Sequence, residues 1–388
     1  MQGYILFITP HLPYPTGGGP AMRASIALDV LASLGPVIVV NPTMTGDEGN
    51  LVADQWVRDR SAAFFRIPLE RVSETKSIVQ GFLDSVPGST LEVIYAFKQQ
   101  VGPIALSCLG LAQHGLRGSF LDLDDDELNR DAQFVPLYKV AGDSIRAAEL
   151  EKSLPRANFF RQMLMGRFQH LLLASPGDCR SMREKYPQYS FTCLPNVVRP
   201  VQTLGAEVIR DPSRILFVGT LCYLPNEDGV EMFAREILPL IHQEDPSICF
   251  RVVGMGRSEK VRLVGELPGV DLVGPVAELA PEYAAASMLV VPLRAGSGTR
   301  IKILEAFSHR TPVVSTSIGA EGLAVTHGEH LLIADTPAEF ADCCLRLARD
   351  PVLRDKLVSS AYEWVVREHS IETVRRTICD CLNNPIVR

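Results

Sequence analysis

The sequence predicts an α/β protein built from two doubly wound domains, in which helices cover both faces of a parallel sheet. Short β-type runs alternate with longer helical patterns along all 388 residues, a length that suits two domains. Most runs are continuously apolar, as expected for strands buried on both faces. The predicted strands are Tyr4–Thr9, Val37–Val40, Phe64–Ile67, Val93–Ala96, Ser119–Leu123, His170–Ala174, Arg214–Val218, Cys249–Val253, Val270–Leu272, Met288–Val291, Pro312–Ser315 and His330–Ile333.

The two halves of the chain resemble each other. Ile5–Thr9 and Ile215–Gly219 are nearly the same sequence, and a loop and a long helical stretch follow each. Two prolines and no sustained periodicity mark the segment between the halves. We therefore expect an N-terminal domain over residues 1–198, a hinge over 199–213 and a C-terminal domain over 214–369. Because open parallel sheets bind ligands at the carboxyl ends of their strands, the two domains are expected to face one inter-domain cleft.

Composition excludes several classes of protein. Apolar residues make up 46% and charged residues 21%, which is typical of a globular protein, and the net charge of −7 argues against nucleic acid as a partner. The nine cysteines are scattered without a CxxC pair, which favours reduced thiols over zinc or disulfides and indicates a cytoplasmic protein. No apolar stretch approaches the about 20 residues that span a bilayer, and the first apolar run has no basic region before it.

The segment Pro292–Ala306 carries the strongest functional pattern. An apolar run enters a loop of small residues (Ala295–Thr299), and a helix-forming run leaves it. Free backbone N–H groups at a helix N-terminus bind anions, and Arg300 and Lys302 add positive charge suited to a diphosphate. Glu305, one turn further on, can accept hydrogen bonds from ribose hydroxyls. The alternative is a surface loop with two solvated cations.

The loop after the first strand, Pro10–Pro20, is the second candidate. Its three glycines allow close ligand approach, and the helix after it carries Arg23. The spacing is not the dinucleotide fingerprint GxGxxG. His11 is a candidate general base at this edge of the sheet, whereas His114 precedes its strand and is expected to be structural. The alternative is a flexible surface turn.

An acidic cluster, Leu121–Glu127, ends another predicted strand. Asp122 and Asp124 share one face at period two, so a divalent metal is conceivable. Because Arg300 and Lys302 already offer positive charge for a diphosphate, we expect no metal. A carboxylate that faces a hydroxyl, or helix N-capping, is favoured instead.

Three further turns contain glycine at predicted strand ends. Val252–Gly256 and Val273–Val276 suit contacts of backbone groups with a base and ribose, and Ser317–Leu323 frames a carboxylate suited to sugar hydroxyls. Each pattern alone also fits a tight turn without a ligand.

Taken in order, these segments resemble the retaining glycosyltransferases of family 4, the group 1 glycosyltransferases with the GT-B fold, of the bacterial polysaccharide and natural-product type. Six ordered matches cover the C-terminal half, and looser ones cover the N-terminal half. The matching segments are Phe217–Thr220 with Pro225 and Asn226, Val253–Gly254, Leu272–Val276, Pro292–Ala306, Pro312–Thr316, Gly319–Leu323, Pro13–Pro15, Leu121–Asp125 and Leu194–Asn196.

The resemblance implies transfer of a sugar, with retention, from a nucleotide-diphosphate donor to an acceptor hydroxyl on a glycan, a lipid-linked glycan or a small molecule. It implies neither a metal nor a cofactor, and it implies that residues 370–388 form a helix that returns to the N-terminal domain. The expected catalytic residues are Arg300, Lys302 and Asp124. The expected donor-binding residues are Gly219, Thr220, Gly254, Val276, Ser297, Gly298, Thr299, Glu305, Gly319, Glu321 and Gly322. The expected acceptor-binding residues are Gly18, Gly19, Arg23, His11 and Asp125.

The chain departs from the family pattern at several positions. Ser297 stands where many members have the first glutamate of a Glu-x7-Glu pair. That glutamate usually touches the donor sugar, so the resemblance does not imply which sugar this chain transfers. Thr220 and Asn226 stand where many members have Arg and Lys, and Asp124 stands in place of a histidine. A nucleotide-sugar epimerase or phosphorylase and a non-catalytic nucleotide-sugar sensor are the alternatives.

The basic helical stretch formed by Arg146, Arg156, Arg161 and Arg167 could also contact an anionic membrane surface, which would place the protein at the inner face of the plasma membrane. A solvated helix face is the alternative.

Overall fold

The computed structural model describes residues 2–16, 18–44, 50–112, 115–140, 142–198, 210–256, 258–296 and 298–384. Residues 199–209 of the predicted hinge, His114 and the predicted donor residue Ser297 lie outside the described residues. The chain forms two compact units. Unit 1 contains residues 1–126, 152–197 and 371–388, and unit 2 contains residues 127–151 and 198–370.

Unit 1 is a seven-stranded sheet in the order β3-β2-β1-β4-β5-β6-β7, and every neighbouring pair of strands is parallel. Its strands are β1 (Gln2–Ile8), β2 (Val37–Thr43), β3 (Ala63–Pro68), β4 (Ser89–Phe97), β5 (Gly118–Asp124), β6 (His170–Leu173) and β7 (Phe191–Cys193). The first six were predicted. Its helices include α1 (Gly19–Leu34), α2 (Leu51–Arg58), α3 (Thr75–Ser85), α4 (Gly102–Cys108), α7 (Pro176–Lys185) and α15 (Ile371–Asn383).

The sheet of unit 1 is buried on both faces because its central strands carry apolar residues at consecutive positions. In β1, Leu6 and Ile8 belong to one core cluster, and Ile5 and Phe7 belong to another. Side chains at alternate positions of a strand point to opposite faces, so the two clusters lie on opposite sides of the sheet. Helix α15 contributes Ile378 and three neighbouring side chains to the second cluster.

Unit 2 is a six-stranded parallel sheet in the order β10-β9-β8-β11-β12-β13 around one large core. Its strands are β8 (Asp211–Val218), β9 (Cys249–Val253), β10 (Val270–Gly274), β11 (Ala286–Val291), β12 (Val313–Ser315) and β13 (Leu332–Ile333), all of them predicted. Its helices are α5 (Glu127–Val140), α8 (Leu224–Met232), α9 (Leu238–Glu244), α10 (Glu259–Val264), α11 (Ala280–Ala285), α12 (Ile301–Ser308), α13 (Pro337–Arg349) and α14 (Pro351–Glu368). Helix α6 (Ser144–Met165) begins in unit 2 and continues in unit 1.

In unit 2, the loops after β8, β9, β11 and β12 meet at one edge of the sheet because all the strands are parallel. The first two of these loops touch. Gly219 donates its N–H to the carbonyl of Val253 at 3.1 Å, and a Cβ on Gly254 would lie 1.7 Å from the carbonyl oxygen of Gly219. Gly254 also has φ of +155°, so only glycine allows the two turns to approach this closely.

Within the described part of the chain, no helix is long and apolar enough to cross a membrane.

We predict that Gly254→Ala destabilises the protein by at least about 2 kcal/mol, because the added methyl group meets backbone that cannot move away. Thermal denaturation followed by circular dichroism measures the change. Gly81→Ala is the matched control: Gly81 lies inside α3 with nothing within 4 Å of its added Cβ, so alanine should stabilise the protein by about 0.5–1 kcal/mol. Equal melting temperatures for wild type and Gly254→Ala would contradict this account.

Candidate functional site

The loop between β11 and α12 has the backbone that its sequence predicts. Gly296 and Gly298 have φ of +132° and +71°, conformations that residues with side chains rarely adopt. A Cβ on Gly296 would lie 3.0 Å from Nη2 of Arg300. The glycines therefore let the loop fold back against the arginine that ends it.

Arg300 is the N-cap residue of α12 and is 8% exposed. Its Nη1 donates to the carbonyl oxygen of Gly298 at 2.6 Å, and its Nη2 donates to the carbonyl oxygen of Ile318 at 3.1 Å. These two bonds connect the β11–α12 loop to the loop after β12. They fix the guanidinium at the carboxyl edge of the sheet.

Lys302 lies in the first turn of α12 and is held by a neutral partner. Its Nζ donates to Oδ1 of Asn226 at 2.8 Å and lies 4.2 Å from the centre of the Phe217 ring. Among the described residues, no carboxylate lies within 4.0 Å of this nitrogen. Burial, followed by the nearby charge of Arg300, lowers the pKa of Lys302 to about 7. When it is protonated, the side chain is therefore an ammonium whose charge is poorly compensated.

Glu305, one turn further along α12, accepts a hydrogen bond from the buried hydroxyl of Tyr283 at 2.8 Å. Burial raises the pKa of Glu305, while this hydrogen bond and the charge of Lys302 lower it. The bond fixes one carboxylate oxygen, and the side chain remains partly exposed. Tyr283 itself is fully buried in the core of unit 2.

The loop after β8 lies against Lys302. A Cβ on Gly219 would lie 2.7 Å from Nδ2 of Asn226 and 3.0 Å from Nζ of Lys302. Asn226 in turn donates from Nδ2 to the carbonyl oxygen of Thr220 at 2.9 Å. The amide of Asn226 thus connects this loop to the lysine, at a position where this chain departs from the cation that the resemblance implies for many family members.

The loop after β12 lies on the other side of the candidate site, beside Arg300. Gly319 donates its N–H to Oγ1 of Thr316 at 2.8 Å, and Thr316 Oγ1 donates to the carbonyl oxygen of Leu293. Glu321 is exposed, and Gly322 has φ of +85°.

The remaining predicted donor residues lie at the same edge of the sheet. Thr299 directly precedes Arg300 and is partly buried, and Val276 follows β10 and packs against the core. The structure thus brings the described donor-side predictions to one edge of the unit 2 sheet.

Helix α5 lies against two of these loops, which no sequence pattern indicated. Gly296 donates its N–H to Oε1 of Gln133 at 3.0 Å. The next residue, Phe134, is 8% exposed and packs edge-to-face on Tyr223, with ring centres 5.6 Å apart. All four residues belong to unit 2.

In unit 1, Arg23 forms a buried ion pair with Asp122. Its Nε and Nη2 lie 3.1 and 2.8 Å from the two carboxylate oxygens, and its Nη1 donates to the carbonyl oxygen of Leu194 and to Oδ1 of Asn196. Tyr95 donates to the same carboxylate at 2.6 Å. These are the contacts of a structural ion pair, so binding of an acceptor by Arg23 stays a prediction.

Asp124 and Asp125 form ion pairs with a lysine that the sequence analysis did not identify. Nζ of Lys98 lies 3.0 Å from Oδ2 of Asp124 and 2.9 Å from Oδ1 of Asp125. Asp124 and Lys98 have φ of +67° and +72°, both rare for residues with side chains. Burial, and then the charge of Lys98, lowers the pKa of His11. This cluster lies at the carboxyl edge of the unit 1 sheet.

The two predicted glycines of the first loop begin helix α1. Gly18 is its N-cap residue, and Gly19 is its first residue. Their predicted role in acceptor binding is untested.

Comparison with known proteins identifies the class of fold. The family model described as Glycosyl transferases group 1 matches residues 212–350. The D-inositol 3-phosphate glycosyltransferase of Frankia alni is 34% identical over 170 residues, which cover 39% of this chain and 40% of that protein. The chain spans about half the length of the curated relatives it matches, from 40% to 56%.

Solved structures match almost the whole chain. Anabaena HepE in complex with UDP and glucose matches with a TM-score of 0.69 at 13% identity, over 98% of this chain and 99% of that one. The G117R mutant of S. aureus TarM, in complex with fondaparinux, alpha-GlcNAc-glycerol and UDP, matches with a TM-score of 0.68 at 10% identity, over 99% of this chain and 100% of that one. The two parallel-sheet Rossmann-like units are therefore those of the GT-B fold.

Proposed function

We propose that the protein is a glycosyltransferase that takes a sugar from a nucleotide-diphosphate donor bound in unit 2. The single observation that carries the proposal is the pair Arg300 and Lys302. Both are fixed at the carboxyl edge of a parallel sheet, and in the described part of the chain Lys302 has no carboxylate within 4.0 Å. A diphosphate supplies the missing negative charge, and the N-terminus of α12 adds its dipole.

The comparisons support this proposal. The match to the group 1 glycosyltransferase model covers the unit 2 sheet and the loops that hold Arg300 and Lys302. HepE and TarM, which share the fold, were solved with UDP bound. Glu305, which lies on the same helix as Lys302 and is fixed by Tyr283 of α11, would accept a hydrogen bond from a ribose hydroxyl of the bound nucleotide.

The proposed reaction retains the anomeric configuration. The acceptor oxygen bonds to the anomeric carbon on the face from which the diphosphate departs, the bond from that carbon to the phosphate oxygen breaks, and the acceptor proton passes to the departing phosphate. Arg300 and Lys302 stabilise the charge that develops on the leaving group. We propose that no metal is needed, since these two cations supply that charge. The acceptor is a glycan, a lipid-linked glycan or a small molecule.

We predict that Lys302→Met and Arg300→Ala each weaken binding of the nucleoside diphosphate about 10- to 100-fold, because each removes a charge-assisted contact. Isothermal titration calorimetry with UDP, GDP and ADP measures the effect. Lys302→Met keeps the length of the side chain, so it tests the charge even if Arg300→Ala disturbs the loop.

Arg294→Ala is the matched control for these variants. Arg294 lies in the same loop, but its guanidinium is about half exposed and forms an ion pair with Asp228 at 2.6 Å. Its loss should leave affinity within twofold of wild type. Equal affinities for wild type and Lys302→Met would refute the site. Release of free sugar or an epimer without acceptor would favour an epimerase or phosphorylase, and binding without turnover would favour a sensor.

We further propose that helix α6 contacts an anionic lipid surface. Phe159 and Met163 are 68% and 57% exposed, four residues apart on one helix. Arg156 and Phe160 are also exposed and four residues apart on this helix, and Arg167 is exposed just after the helix ends. No acidic residue occurs between residues 152 and 167. This face is cationic and apolar on a chain with a net charge of −7, which favours an anionic bilayer as its partner.

The structure changes which arginines can take part in this contact. Arg161 is buried in an ion pair with Asp126, and Arg146 lies 3.4 Å from the carboxylate of Asp143. Of the predicted basic stretch, Arg156 lies on the exposed apolar face of α6, and Arg167 is exposed just beyond the C-terminal end of the helix.

We predict that the protein co-sediments with phosphatidylcholine vesicles containing phosphatidylglycerol, and that Phe159→Ser with Met163→Ser reduces the bound fraction at least fivefold by removing the apolar contact. Val352→Ser is the control, since Val352 is 80% exposed on a different helix. Equal binding by wild type and the double variant would exclude the surface. Self-association that the double variant abolishes, measured by sedimentation equilibrium, would assign it to a second copy instead.

A further inference from the structure

Residues 127–151 belong to unit 2 by their contacts, although unit 1 residues flank them in the sequence. Within this segment, helix α5 is held against the loop after β8 by the packing of Phe134 on Tyr223. It is held against the β11–α12 loop by the hydrogen bond from Gly296 to Gln133. Helix α5 therefore contacts both loops that bear on the proposed diphosphate site.

The contacts of these loops place Gln133 relative to the two cations. Lys302 lies beside the loop after β8, since a Cβ on Gly219 would be 3.0 Å from its Nζ. Arg300 lies on the other side, beside Gly296 and Ile318. Because Gly296 neighbours both Arg300 and Gln133, the amide of Gln133 is at the Arg300 end of the site.

Glu305 lies towards the end of the proposed donor site that is opposite Gln133. It follows Lys302 by one helical turn and is bonded to Tyr283, in the core beneath the sheet edge. If Glu305 accepts from the ribose and the two cations hold the diphosphate, the next group of the donor along the same line is the sugar. The sugar would then meet the side chain of Gln133.

We infer that Gln133 binds the sugar of the donor and contributes to the choice of that sugar. A carboxamide is neutral, so it adds nothing to the neutralisation of the diphosphate. It offers one acceptor and two N–H donors, which suit hydroxyl groups that both donate and accept. Its Oε1 is already fixed by Gly296, so the orientation of the amide is set before the sugar arrives. The inference rests on the proposed function of unit 2.

The test compares each nucleoside diphosphate with its own sugar conjugate: UDP with UDP-glucose and UDP-N-acetylglucosamine, and GDP with GDP-mannose. We predict that Gln133→Met weakens binding of the conjugate about 3- to 10-fold and leaves the diphosphate within twofold of wild type, because one neutral hydrogen-bonding group is lost from the sugar only. Methionine keeps the length and the packing of the side chain. Gln133→Ala should show the same selective loss.

Gln55→Ala is the matched control, because Gln55 lies on the surface helix α2 and bonds to Asp59 four residues later. It should change neither affinity. The inference is overturned if Gln133→Met changes the affinity for diphosphate and conjugate equally, in either direction, or changes neither. If Gln133→Met binds both the diphosphate and its conjugate more strongly than wild type does, then Gln133 obstructs the donor site instead of binding the sugar. If the wild-type protein binds neither diphosphate nor conjugate, both the proposed function and this inference fail. If wild type binds and only the selectivity is absent, the inference alone fails.

Discussion

The half-buried ammonium of Lys302 is the constraint on which the candidate site depends. A charge removed from water is costly unless a partner compensates it. Here the partners are a neutral amide, an aromatic face and, further away, Glu305. Arg300 adds a second cation nearby and lowers the pKa of the lysine further. An anion that binds both groups removes this penalty, so the electrostatics favour a ligand with at least two negative charges.

Packing of the hydrophobic core stabilises unit 2 and so offsets the energetic cost of these two cations. The last four residues of β8 and all six of β11 are buried. Lys302 lies on helix α12, whose inner face (Ile303, Leu304 and Phe307) belongs to the same core. Close contacts at Gly219 and Gly254 hold the neighbouring turns in place. The two cations are therefore positioned by rigid elements rather than by each other, which is how a preorganised site stabilises developing charge.

Most of the fold could be predicted from the sequence, and the reasons for the exceptions are physical. Twelve strands were predicted because most are continuous apolar runs between turn residues. Strand β7 was missed because it is three residues long and only Phe191 is fully buried. Helix α5 was not assigned to unit 2, because its membership depends on contacts with residues more than 80 positions away, such as that of Phe134 with Tyr223.

Only part of the candidate site could be predicted, because long-range contacts also form it. Arg300, Lys302 and Glu305 were found because they are close in sequence and follow a strand. Tyr283, Asn226 as the partner of Lys302, and Gln133 come from other segments and carry no local pattern. For Arg23, the glycine-rich surroundings indicated a ligand but not its protein contacts, which are with Asp122, 99 residues away, and with the segment after β7.

Proton uptake on binding tests the central claim most directly. Because the pKa of Lys302 is about 7 in the free protein, the side chain is mostly neutral at pH 8, and a bound diphosphate would raise the pKa again. Affinity should then fall as the pH rises above 7. Calorimetry at pH 8, in two buffers with different ionisation enthalpies, should show uptake of about one proton per bound UDP, GDP or ADP, and none for Lys302→Met. Binding without proton uptake in the wild-type protein would contradict the account.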